Sequence, residues 1–414
     1  MSLMINIQPY LNSEYVKKTN YVDKRKCASL DEVDNGYTIV RYNKSLIDMK
    51  NMDNASTLGH MRSVIVSKEG KVVCYSPPKS IQWETFRHSD YYFSHQPIFE
   101  EYVEGTMINM FWDEYCQSWE FATKNTIGCK KSFQCIDCLQ TYSNEQPPKT
   151  FEDMFLEAYY HNNLHYINFD KTKCYSFVLQ HPENRIVSHI IEPRVYLIAC
   201  YKIKNNYVIL GDMSDIKEQV NDLVNIKQFP SVLRFPLKYE DTTDVEDFRN
   251  HPDYNVMGVV IKNPVNGYYA KVRNVTYMNV KEMVGNSPSL LSRFITLYKD
   301  MKLNEYISLF PEHHEYFYYY QCLLVNYIAL LETSYHYIYI LKNDVNNYFT
   351  KENKQHVNVV YHLKQLHNKY RAEKSIRGSF YKSVNVTEYV NNMDHSNLFY
   401  ALKQYYQLVS SSLY

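Results

Sequence analysis

Neither sign of charge is in excess. The 414 residues carry 45 Lys and Arg against 45 Asp and Glu. A chain whose charges cancel has no global basic coat for duplex nucleic acid, but a local basic cleft survives, because net charge does not report distribution. Long apolar runs are also missing. The longest, Cys322 to Leu331, has ten residues and includes Asn326, whereas a bilayer span needs about 20. Met1 to Lys18 holds no stretch apolar enough for a signal peptide. The chain therefore reads as soluble, with a cytoplasmic location expected. Glycine is scarce, at 10 residues, and cysteine is limited to nine. An odd number of cysteines, scattered along so long a chain, points to a reducing compartment and free thiols.

What is present is close to globular average, with 45% hydrophobic and 22% charged residues. This excludes a mainly disordered, collagen-like or low-complexity chain. The length allows two or three domains at about 150 residues each. Tyrosine is the exception, at 42 residues. With abundant Asn and little Gly, it reads as the drift of an AT-rich genome, in keeping with a viral source (host cytoplasm or virus factory). Tyr-rich patches are for that reason weak evidence of base stacking.

Residues 1 to about 285 read as mixed α and β. Short β-branched and aromatic runs recur: Ser63–Val66, Lys71–Tyr75, Arg194–Tyr201, Tyr207–Leu210, Met257–Lys262 and Tyr268–Arg273. Turn signals at Lys68-Glu-Gly70, Gly211-Asp212 and Asn263-Pro-Val-Asn-Gly267 make antiparallel hairpins of neighbouring runs. Thr150, with Asp153 three residues on, is expected to cap a helix. The character changes near Gly285. Asn286-Ser287-Pro288 reads as a linker, with Ser287 as N-cap and Pro288 at the first helical position. Helical spacing follows at Leu290, Leu291, Phe294, Leu297 and Tyr298, then through 315–343, 358–374 and 397–413. The expected organisation is an N-terminal extension packed on the core (1–55), a mixed core (56–285) and a helical C-terminal domain (286–414).

The informative part is a series of segments in a fixed order. Gly59-His-Met-Arg-Ser-Val-Ile-Val66 leads to Tyr75-Ser-Pro-Pro-Lys79. Next come Phe99-Glu-Glu-Tyr-Val-Glu-Gly-Thr-Met-Ile-Asn109 and Trp119-Glu-Phe-Ala-Thr-Lys124-Asn-Thr-Ile-Gly128. Ser176-Phe-Val-Leu-Gln-His-Pro-Glu-Asn-Arg-Ile-Val187 follows, then Met257-Gly-Val-Val-Ile-Lys262 with Lys271-Val-Arg273. A lone Lys-x-Arg on a strand is usually a solvated face. Several Lys and Arg converging on one cleft would instead neutralise a polyphosphate, and adjacent Gly would let phosphate or base approach the backbone.

Order and spacing together resemble the nucleotidyltransferase domain of the bacteriophage tRNA-repair type RNA ligase family, over about residues 55–280. The Pro182-to-Val187 segment and the Gly258-to-Arg273 hairpin are the closest local matches. The resemblance implies an α+β fold: a ligase-type nucleotidyltransferase core of antiparallel sheets with helices, followed by an all-α C-terminal domain that selects RNA. It also implies a nucleotide site at Arg62, Lys79, Glu104, Gly105, Lys124, Gly258, Lys271 and Arg273. Lys271 would grip the α-phosphate in the transition state, and Arg273 replaces that motif's second lysine, a planar fork in place of a point donor.

Three departures stand beside the matches. The family attacks ATP with a lysine in a K-x-D/N-G motif, forming a phosphoramidate. Aligned on Gly105, this chain has Tyr102 at the lysine. Val178 and Met257 stand where the family carries glutamates that serve nucleotide or metal. If active, the chain is expected to use ATP and Mg²⁺ and to act on RNA, tRNA-like or otherwise structured, in repair or processing. The alternative is a catalytically silent pseudo-ligase serving as an RNA-binding or assembly subunit, or as a nucleotide sensor.

Other constellations weigh less. Cys129, Cys135 and Cys138 could be part of a zinc site with His161 or His165, the bland reading being free thiols. Tyr316-Phe-Tyr-Tyr-Tyr320 could stack single-stranded bases or simply fill a helical core. His313-His314, between Glu312 and Glu315, could bind metal or start an exposed helix. Lys364, Lys369, Arg371, Lys374, Arg377 and Lys382, against the one acid Glu373, form the best RNA-backbone candidate outside the core, with a solvated helix face as the plain alternative.

Overall fold

A computed structural model describes residues 4–23, 35–45, 57–93, 95–131, 148–240, 244–342, 357–377 and 385–411. The chain is a mixed protein of antiparallel sheets and helices and divides into two compact units, with the break at Glu282/Met283.

The first unit holds three sheets. Six strands run in the order β1 (Met4–Asn6), β11 (Tyr207–Leu210), β10 (Arg194–Lys204), β9 (Lys173–Gln180), β7 (Thr106–Asp113) and β8 (Ser118–Ala122). Four form β12 (Lys238–Tyr239), β6 (Ile98–Glu101), β13 (Gly258–Lys262) and β14 (Tyr269–Arg273). The last four are β2 (Val16–Asp23), β3 (Asn35–Tyr42), β4 (Val64–Ser67) and β5 (Val72–Tyr75). Residues 4–23 and 35–42, read from the sequence as part of an extension, supply strands to these sheets: β1 pairs with β11 and β3 with β4.

Strand β9 shows how the core is divided. A strand sends successive side chains to opposite faces. On one face Tyr175, Phe177 and Leu179 pack with Met154, Phe155 and Ala158 of helix Phe151–His161 and with Ile216, Val220 and Leu223 of helix Ser214–Asn225. On the other, Cys174 joins the core of the β2–β5 sheet with Tyr75, Phe111 and Tyr201. Val178, also on that face, packs with Val103 and Tyr196. Both faces are therefore buried, and no polar alternation marks the strand in the sequence. Helix Phe151–His161 opens with the expected capping box: Asp153 N donates to Thr150 Oγ1 at 3.2 Å and Thr150 N to Asp153 Oδ2 at 2.9 Å.

The second unit, as described, is helical: Leu290–Lys299, Leu303–Leu309, His314–Tyr335, a π-helical turn at His336–Ile340, Val357–Arg377, Val386–Asn391 and His395–Ser411. Its first helix starts later than the linker reading placed it. Ser289 is the N-cap, accepting from Ser292 N at 3.2 Å, and Pro288 lies outside the helix. The Ser287 hydroxyl accepts from Ser289 N instead, so Ser287 closes a local turn. Phe317 and Tyr320 of the aromatic cluster are buried, and Tyr318 is exposed. His313, half-buried, stacks on Tyr306 and shares a 2.8 Å hydrogen bond with its hydroxyl, so it packs against the helical core.

Among the described residues five cysteines are free: Cys74, Cys129, Cys174, Cys200 and Cys322. Cys116 is disulfide-bonded, contrary to the expectation of free thiols throughout. No helix among the described residues is long and apolar enough to cross a membrane.

Candidate functional site

The segments that carry the motif series surround one cavity of about 700 Å³ in the first unit. Its wall includes Arg62, Tyr102, Gly105, Lys124, Val178, Met257, Tyr269 and Lys271.

Two glycines set the backbone that forms this wall. Gly105 lies at φ +147°, and a Cβ there would stand 2.4 Å from Leu179 O and 2.6 Å from Val178 Cγ1. Gly258 lies at φ +136°, and its Cβ would stand 2.0 Å from Val272 O. Only glycine fits either place. Between them, Tyr102 N donates to Gly258 O at 3.2 Å, tying the end of β6 to the start of β13. Gly258 is paired with Arg273 across β13 and β14.

Glu104 works behind the wall. It is buried, and its carboxylate accepts from Val187 N and Ser188 N, each at 3.1 Å. Gln180 Nε2 donates to Glu104 O at 2.9 Å, and Asn184 Nδ2 to Thr106 Oγ1 at 2.9 Å. The Pro182-to-Val187 segment is thus a bracket that holds the β6–β7 connection. Burial pushes the Glu104 carboxyl up, against the pull of the two amides. Glu104 does not line the cavity. It positions Gly105 through these bonds from the Val187–Ser188 backbone.

The cations arrive from separate elements. Arg62 ends the 3₁₀ turn Leu58–Arg62, with Nη1 3.4 Å from Tyr269 Oη and 3.5 Å from Pro77 O. Lys79 follows β5, its backbone N donating to Gly59 O at 2.9 Å. Lys124 follows β8, its Nζ 5.5 Å from the centre of the Tyr42 ring. Lys271 and Arg273 lie two apart on β14, hence on one face. Both donate to the Tyr102 hydroxyl, at 3.1 Å and 3.4 Å. None of these five cations has a carboxylate partner among the described residues.

Their titration reports the crowding. Burial, then Arg62, Lys44, Arg41 and Lys79, lowers Lys124 to about 8. Burial, then Arg62, Arg273 and Lys79, lowers Lys271 to about 8, against an opposing pull from Tyr269. Burial, Arg62, Arg273 and Lys44 lower Lys79 as well, partly offset by Tyr102. The structure therefore brings Arg62, Lys79, Lys124, Lys271 and Arg273 together, with Arg41 and Lys44 close enough to be felt. Those last two were missed in the sequence because they precede the motif series. Arg41 is further tethered to Asn125.

The wall has little to offer a metal ion. Val178 and Met257 are hydrocarbon and thioether where carboxylates are expected. Glu100 pairs with Lys262, Glu101 Oε2 accepts from Leu237 N at 3.2 Å, and Asp212 accepts from Ser214. Among the described residues no three His, Cys, Asp or Glu cluster as a metal site. The donor set does not fit a protein-held Mg²⁺. The zinc candidate fares no better where it can be seen. Cys129 is a buried free thiol pushed up by burial, His161 faces Glu192, and His165 packs on Tyr166. Cys135 and Cys138 lie outside the described residues.

In the second unit, Lys364, Lys369, Arg371 and Lys374 are exposed on helix Val357–Arg377. Lys369 stands 4.0 Å from both Glu373 and Glu388. The Arg377 side chain and Lys382 lie outside the described residues.

No protein-family model and no curated protein matches the chain. Among solved structures it is similar to a Naegleria gruberi RNA ligase. With the ligase–pyrophosphate structure the TM-score is 0.31 at 12% identity, covering 45% of this chain and 52% of that one. With a point mutant of the same ligase bearing ATP and Mn the TM-score is 0.34 at 12% identity, covering 49% and 57%. The match spans about half the length of those chains.

Proposed function

We propose that the first unit is an RNA ligase-like nucleotidyltransferase fold whose cavity binds a nucleoside triphosphate, ATP in the first instance, in the service of RNA repair or processing. The observation that carries this reading is that Arg62, Lys124 and Lys271 line one cavity, with Lys79 and Arg273 close enough to lower Lys271, and that none of the five has a carboxylate partner among the described residues. Like charges held together and partly withdrawn from water destabilise the fold unless an anion relieves them. A triphosphate brings three or four negative charges and suits that spread of donors. The motif order, of the phage tRNA-repair type, supports the ligase reading.

Tyr102 argues against the family's own covalent step. A phenol cannot form a phosphoramidate, and this hydroxyl is held by Lys271 and Arg273. Together with Val178 and Met257, it favours a second reading, a pseudo-ligase that keeps the pocket and binds nucleotide or RNA without transfer. RNA contact through Lys364, Lys369, Arg371 and Lys374 belongs to either reading.

Equilibrium titration with ATP, GTP and pyrophosphate tests the pocket. ATP should bind, and Arg62→Ala and Lys79→Ala should each weaken it at least tenfold, about 1.4 kcal/mol. Affinity should fall steeply with added salt. Failure of ATP and pyrophosphate to bind the folded protein at millimolar concentration would sink the proposal.

A further inference from the structure

Position 102 and Lys271 meet across the sheet of β6, β13 and β14. Lys271 is paired with Val260 on β13, and β13 is paired with β6, whose end leads into Tyr102. The Lys271 Nζ lies 3.1 Å from the Tyr102 hydroxyl and 4.2 Å from the centre of its ring. Tyrosine and lysine side chains have similar reach. The Tyr102 hydroxyl therefore marks roughly where the amine of a lysine at position 102 would stand. Lys271 delivers a primary amine to within one hydrogen bond of that point, from another strand.

Its surroundings suit a nucleophile better than a tether. It lines the cavity and has no carboxylate partner among the described residues. Its hydrogen bond goes to a phenol oxygen, and a second ring, Tyr269, lies 5.6 Å away. Burial and the cations around it bring it to about 8. Near pH 8 a large share of the amine is thus neutral and carries the lone pair that attack requires.

We infer that Lys271 is the residue to which a nucleotidyl group is transferred from the triphosphate bound in this cavity. The inference rests on the proposed pocket and adds a catalytic residue to it. The Lys271 Nζ lone pair attacks the α-phosphorus, and an N–P bond forms. The bond from that phosphorus to the α,β-bridging oxygen breaks, and its electron pair leaves with pyrophosphate. The amine's surplus proton passes to water. The product is a phosphoramidate on Lys271. Arg62, Lys79, Lys124 and Arg273 offset the charge of the triphosphate and of the departing pyrophosphate. Magnesium, where needed, arrives as part of the ATP complex, as substrate.

The test uses the full chain with α-labelled MgATP, a denaturing gel and peptide mapping by mass spectrometry, beside an ATP titration of the same preparation. The expected result is a label that survives base, is lost in acid and maps to Lys271. The label should increase as pH rises from about 7 to 8.5. Lys271→Arg keeps the positive charge and should lose the label at least 100-fold, with ATP binding measured alongside to show that the pocket is intact. Tyr102→Phe should retain it, which separates the amine from the phenol as acceptor. An acid-stable label, a label mapped to Lys124 or another lysine, or no label on protein that binds ATP would each overturn the inference while leaving the nucleotide pocket standing. Folded protein that binds no ATP would overturn both.

Discussion

Two cations, one in each unit, are drawn out of water without a carboxylate beside them, and the molecule treats them differently. Arg293, in the helical unit, is buried, and two of its donor groups go to fixed oxygens, Nη1 to the Tyr306 hydroxyl at 2.9 Å and Nη2 to Ser287 O at 3.3 Å, while Nε has no hydrogen-bond partner among the described residues. Its ring neighbour, Tyr306, is packed among Phe310, His313 and Phe317. Lys271, in the sheet unit, has a 700 Å³ cavity in front of it and three more cations, Arg62, Arg273 and Lys79, close enough to lower it. In the first arrangement two of the three donor groups are met within the protein. The second is complete only when something negative enters. Burial alone does not mark a site; burial with unrelieved like charge at a cavity does.

The largest expected effect breaks the platform beneath Lys271. Gly258→Ala forces a Cβ to 2.0 Å from Val272 O at φ +136°. The obstacle is backbone, so β14, which carries Lys271 and Arg273, has to move. A loss above about 4 kcal/mol is expected, in the range reserved for strain and severe clash. Urea denaturation of the full chain, with two probes, would show the first unit unfolding early. A midpoint within error of the parent would show that the β13–β14 register is not as described.

The next sharpens the comparison by sign. Arg293→Met takes the donor from Ser287 O and one of two partners from the Tyr306 hydroxyl, which His313 still engages, an expected cost of about 1–3 kcal/mol. Lys271→Met removes a desolvated charge from among like charges, so stability should be unchanged or slightly raised. Its ATP affinity should nonetheless fall at least tenfold. The same assay on both variants checks this. Equal destabilisation would mean that Lys271 is a structural cation like Arg293.

Much of this contrast was legible in the chain. Lys79, Lys124 and Lys271 were singled out because the order of the segments that carry them resembles the ligase family's motif series. The hairpins around Gly70 and Gly267 followed from turn chemistry, and the Thr150 cap from its spacing to Asp153. Less was visible where tertiary packing overrides local pattern. β9 is buried on both faces and shows no alternation, and β1 is about 200 residues from β11, the strand it joins. Glu104 read as a ligand because sequence reports a carboxylate and not its partners. Those partners, Val187 N and Ser188 N, are more than 80 residues away in the chain.

The smallest expected effect reads the unrelieved charge directly. Lys124 and Lys271 are both lowered to about 8 in the folded chain, whereas an unfolded lysine titrates near 10.4. Between those values the unfolded state holds more protons, so stability rises with pH across that window. Buried tyrosines such as Tyr75 and Tyr201, raised by burial, work in the opposite sense above pH 10. The comparison is therefore best confined to pH 7–9.5 and taken as a difference from the double variant Lys124→Met with Lys271→Met. The parent should gain stability on this difference curve as pH rises. Saturating ATP should reduce the gain, because the charge of a bound triphosphate raises the affinity of Lys124 for the proton. Parallel curves without ATP would place both lysines in ordinary solvent and remove the ground for treating this cavity differently from the Arg293 core.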